Sequence, residues 1–189
     1  MRLIRYNVWK CRRPVLFDEF TDELHYRIMI DADKLLRMLD RETPAFLLKL
    51  FHPFRSDKYT ARGEVVFVEC AILCHHLLDM GLHRILNEGD RQRVMKKMKE
   101  LLYDDIDEFG ESAGEQLLDY DKILSEYPPF WANIPRKRQL VPPAIHVFAV
   151  RVEELVNHSP QSVEFAIFMN SNRLELFSFY DYLGEVELN

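Results

Sequence analysis

The stretch VECAILCHHLLDMGLH, Val68 to His83, sets two cysteines, three histidines, a glutamate and an aspartate among residues that are otherwise almost all apolar. Read as a helix, it is the centre of a core; read as a ligand cluster, it is a metal site. Extended back to Glu64 and forward to Met80, its apolar residues cover every direction around a helix axis, the pattern of a segment enclosed by other elements. Gly81 is expected to end or bend it. The apolar run Val65 to Cys74 is broken by Glu69 and is shorter than the roughly 20 residues a bilayer requires, so no membrane span is expected.

Helical geometry tests the ligand reading. At about 100° per residue from Glu64, Cys70 and Cys74 fall at about 240° and 280°, whereas Glu69, His76, Asp79 and His83 fall at about 60° to 140°. One helix cannot offer both faces to one tetrahedral ion, and Cys11 is the only other cysteine, so a cysteine zinc site is disfavoured. The thiols read as core packing. Glu69, His76, Asp79 and His83 remain as a line of candidate metal ligands, needing a donor from a neighbouring helix such as His25, His52, His146 or His158. Against a metal, Val65, Val68 and Ile72 share their arc, so hydrogen-bond partners inside a core account for the same residues.

Working outward, 24–30 alternates apolar and polar residues, and Ile4, Tyr6 and Val8 do the same, which predicts two N-terminal strands. A helix over 22–39 stays open, because Leu24, Ile28, Ala32, Leu35, Leu36 and Leu39 share one helical face. Asp31 or Asp33 is then a candidate cap for a helix carrying Leu35, Leu36 and Leu39. Pro44 starts a short helical segment, and HPFRSDKYTARG reads as a loop bounded by Pro53 and Gly63. Asp90 is a candidate cap for an amphipathic helix with Val94, Met98, Leu101 and Leu102 inward and Arg91 among the residues outward.

Gly110 and Gly114 are expected to interrupt helix in the acidic segment, with a resumption near Glu115. The stretch 127–143 holds five of the nine prolines and reads as irregular. Pro143 opens a further helix, and Ser159 with Pro160 repeats the arrangement of cap and proline. Near the C-terminus, Asn172 and Glu175 have capping-box spacing, although VEFAIFM and RLELFSFYDY would also form a hairpin. The expected fold is mainly α, one domain over 1–189 built as a helical bundle. A small antiparallel β element is allowed at the N-terminal end, with another at the C-terminal end.

Charge is unevenly placed. The net charge of −6 disfavours a surface devoted to nucleic acid, yet Met1 to Arg13 carries five bases and no acid, and Glu100 to Asp121 carries nine acids and no base. The acidic residues Asp104, Asp105, Asp107, Glu108 and Glu111 are the first candidates for partner binding. Trp131 with Arg136, Lys137 and Arg138 is the second set, a combination that also suits single-stranded nucleic acid.

Asp105, Asp107 and Gly110 occupy three EF-hand positions, but Phe109 and Gln116 replace two ligands, so calcium is not expected. P-loop, G-x-G-x-x-G, G-x-S-x-G and H-E-x-x-H patterns are all absent. No cofactor is expected. The sequence therefore reads as a cytoplasmic, non-enzymatic protein-binding module, a regulator, inhibitor or immunity-type protein or assembly subunit, with a helical-bundle metalloenzyme centred on His76 and Asp79 as the alternative and nucleic-acid binding through the basic N-terminus and the Arg136 to Arg138 loop as the second alternative.

Overall fold

The computed structural model describes residues 12–42, 61–106, 111–127, 142–156 and 177–188. In chain order these form β1 (Arg13–Val15), α1 (Phe17–Glu42), α2 (Ala61–Leu82), α3 (Glu88–Ile106), α4 (Glu111–Leu118), α5 (Tyr120–Glu126), α6 (Pro142–Val156), α7 (Ser178–Glu185) and β2 (Val186–Leu188). The protein is mainly helical, with a two-stranded sheet.

The central element is α2, which packs against each of the other six described helices. Every residue from Val66 to Leu78 is buried, as the all-round apolar sequence requires. By length and composition Gly63–Leu82 is apolar enough to cross a bilayer, but 83% of that window is buried inside the fold. The apolar surface is spent on neighbouring helices. Gly63 and Gly81 both lie within α2 and break nothing. At Gly81 an added Cβ would come within 3.1 Å of both Leu183 and Tyr180, so the missing side chain lets α7 approach.

The predicted strand at 24–30 is a helix. Leu24, Ile28, Ala32, Leu35 and Leu36 are all buried on one face of α1, and Tyr26 of the alternating set is 62% exposed. The period of 3.6 wins because it buries five side chains against α2, whereas the period of two would have put Tyr26 in the core. Asp31 and Asp33 lie inside α1 and do not start a helix.

α3 begins at Glu88 with Asn87 as its cap: the Asp90 amide donates to Asn87 Oδ1 (3.0 Å), and Asn87 Nδ2 donates back to Asp90 Oδ2 (2.6 Å). Asp90 is thus the residue whose amide is capped and whose carboxylate holds the capping side chain, and it is not the cap. Val94, Met98, Leu102 and Ile106 are the buried stripe of α3. Gly114 sits within α4, and α6 starts with Pro142 and Pro143 at its first two positions, where no amide is missed.

The sheet pairs β1 with β2 in parallel, Arg13 opposite Val186 and Val15 opposite Leu188. It is not the antiparallel element expected: its strands are parallel, and the helices between them supply the long crossover that parallel pairing needs. The C-terminal hairpin is also overturned over 178–185, which is helix. The expectations for 4–8, Pro44, Pro53, Ser159, Pro160, Asn172 and Glu175 lie outside the described residues.

Candidate functional site

The line of polar residues on α2 is dispersed by the tertiary structure. Glu69, fully buried, is held by Arg151 of α6, with Arg151 Nε 3.0 Å from Oε2 and Nη2 2.8 Å from Oε1. Gln116 of α4 donates to the same carboxylate, and Arg151 Nη1 reaches on to Glu126 at 2.6 Å. Burial works against the charge of Arg151, but the carboxylates of Glu69 and Glu126 outweigh it and hold its pKa above the usual value. A carboxylate with three donors in a dry site is a structural clamp joining α2, α4, α5 and α6. Both of its oxygens accept.

Asp79 pairs with Arg91 of α3, which also binds Glu88 at 2.7 Å. His76 stacks on Tyr127 with ring centroids 4.9 Å apart; burial lowers its pKa, and Asp79 opposes that shift. His83 is exposed on the surface beyond α2. The four predicted ligands are thus not brought together, and among the described residues no group of three His, Cys, Asp or Glu is placed to hold a metal ion. Cys70 and Cys74 are buried thiols, and burial pushes both up, away from the reactive thiolate.

His75, about 100° around the helix from His76, is fully buried, with Nδ1 2.8 Å from the Tyr120 hydroxyl and Nε2 without a partner among the described residues. Burial, reinforced by His25 nearby, lowers its pKa to about 3. It stays neutral at ordinary pH.

The acidic segment divides into engaged and unengaged residues. Asp105 Oδ2 accepts from His25 Nε2 at 2.9 Å, tying the end of α3 to α1. Asp121 binds Lys99 at 2.6 Å and Asp119 lies 3.4 Å from Lys122. Asp104, Glu111 and Glu115 are exposed and make no ion pair among the described residues. With Asp105 committed to His25, and Glu111 to Gln116 helical, an EF-hand loop does not form around Asp105. Asp107, Glu108, Trp131, Arg136, Lys137 and Arg138 lie outside the described residues.

Several polar residues with decisive roles carried signals that periodicity arguments pass over. Arg151 is the lone base in the apolar helix PPAIHVFAVRVEELV, and Asp31 is an acid on the buried stripe of α1. Asp31 accepts the Phe179 amide (3.3 Å) and the Ser178 hydroxyl (3.1 Å), so it caps α7, whose own N-cap position is Phe177 and offers no oxygen. Burial raises the Asp31 pKa against the lowering effect of Lys34 and these donors. Comparison of the chain with protein families, with curated proteins and with solved structures finds no match.

Proposed function

We propose that the protein is a non-enzymatic protein-binding module, a regulator, inhibitor or assembly subunit, that meets a basic partner through the acidic surface of 104–121. One observation carries the reading: Asp104, Glu111 and Glu115 are exposed without an ion-pair partner among the described residues, while Glu69, Asp79 and Asp105 are spent on structural pairs. Carboxylates that no described residue pairs project a negative potential, which accelerates encounter with a positively charged partner and repels phosphate backbones. Free, buried Cys70 and Cys74 suit a reducing compartment such as the cytoplasm.

The test is affinity capture from the native cell followed by mass spectrometry, with wild type beside Asp104→Asn/Glu111→Gln/Glu115→Gln. Asp105 is left intact because it holds His25. Loss of the principal protein partner from the variant is the expected result. An unchanged partner set would remove this surface from consideration.

A further inference from the structure

A second concentration of charge lies where the first half of α1 meets the two chain ends. An open cleft of about 720 Å³ is lined there by Glu19, Asp22, Glu23 and Glu185, with Arg13 and Arg27 among them and Tyr182 in its wall. It shares no residue with 104–121. Both guanidinium groups are already paired with carboxylates. Arg13 Nη2 is 2.7 Å from Glu19, and Arg27 binds Glu23 (2.6 Å) and the Ser178 carbonyl (3.1 Å) while lying 5.1 Å from the Tyr182 ring centroid. An anion would have to break these pairs and enter a site where four carboxylates face two guanidinium groups.

Asp22 and Glu185 are the two carboxylates left over, exposed and without an ion pair among the described residues. The second observation is Tyr182 itself, 3% exposed, with a buried hydroxyl that has no hydrogen-bond partner among the described residues. The charged groups acting on that hydroxyl are Glu23, Glu19, Arg13 and Arg27, all of them cleft residues. A buried hydroxyl ordinarily finds a partner, and here the cleft is where one can come from. The Arg13–Glu19 pair beside it is solvent-exposed, 67% and 48% by side chain, so an incoming cation can exchange with Arg13 at little cost.

We propose that this cleft binds a basic segment of a partner protein, taking an arginine or lysine side chain between Asp22 and Glu185 with an N–H donated to the Tyr182 hydroxyl. The volume exceeds one side chain and suits a short stretch of peptide. The proposal shares with the reading of 104–121 only the class of partner, and it is tested separately.

The experiment is an amide-resolved NMR titration of the full chain with a blocked diarginine peptide, beside a blocked diglutamate peptide and spermidine. The expected result is shifts confined to residues around Asp22, Arg27 and Glu185 with diarginine, and affinity that falls with added salt. Asp22→Asn/Glu185→Gln should weaken binding by about five-fold. Tyr182→Phe should also weaken it without lowering Tm, because the hydroxyl has no internal bond to lose. Asp104→Asn/Glu111→Gln/Glu115→Gln should bind diarginine as the wild type does, even if that variant loses its cellular partner. Shifts elsewhere, equal binding by the Asp22/Glu185 variant, or diglutamate or spermidine binding as tightly as diarginine would overturn the proposal.

Discussion

His75 shows how one residue sets a condition on the whole fold. Its ring is fully buried with a single hydrogen bond, to Tyr120, so the folded protein refuses a proton until about pH 3, whereas the unfolded chain takes one up below the ordinary value of 6.5. Between those values the unfolded state binds more protons, so stability rises with pH and is lost as pH falls, by about 1.4 kcal/mol per unit. The groups around this site are His25 with its partner Asp105, and Tyr120. Urea unfolding at about pH 5 should give a stability about 2 kcal/mol below that at neutral pH. His75→Asn, which can keep a bond to Tyr120, should flatten the profile, with His76 supplying the remaining slope. An equally steep profile in the variant would place the effect elsewhere. The histidine-rich sequence drew attention to this helix for its ligands. Which histidine bonded the Tyr120 hydroxyl, and which stacked on Tyr127, depended on helices whose packing the local pattern does not contain.

Among elements, two polar contacts join pieces of chain that periodicity alone leaves unconnected. The Glu69–Arg151 clamp is the larger. Glu69→Ala leaves a guanidinium half-embedded in the fold without its main partner and should cost about 3–5 kcal/mol. Glu69→Leu with Arg151→Met should recover most of that loss, since the desolvation cost of both charges disappears together. Denaturant unfolding of the two single variants and the double variant reads the coupling directly. The second contact is the Asp31 cap on α7. Asp31→Ala should cost about 1 kcal/mol and speed hydrogen exchange at the Phe179 amide, whereas Asp31→Asn, retaining an acceptor, should cost less. A carboxylate at the start of an apolar run does predict capping. Asp31 performs that chemistry for a helix near the other end of the chain, where Phe177 lacks the oxygen.

At the scale of the whole molecule, α2 is enclosed by the other helices, and the two chain ends meet in a short parallel pair. Val186, 4% exposed, lies opposite Arg13 in that pair, and Val15 lies opposite Leu188. Deleting 186–189 should lower stability by about 1–3 kcal/mol through lost apolar burial, seen as a reduced Tm. It should also open the proposed cation cleft, of which Val186 is a wall. An unaltered Tm would mean that β1 gains nothing from its partner. The helical class, the burial of α2 and the stripes of α1 and α3 were legible in the sequence, because a helix that must hide an apolar face announces it every three or four residues. The strand at 24–30 was misread because alternation and helical periodicity coincided there, and only packing against α2 separates them. Three things, then, belong to the sequence by itself: a mainly helical core, a buried thiol face, and an excess of acid in one segment. Tertiary structure alone decided that Glu69 meets Arg151 and Asp31 meets Phe179, 82 and 148 residues away. A buried charge takes whichever complementary group the fold brings within hydrogen-bond reach, and that distance is a property of packed helices, not of spacing along the chain.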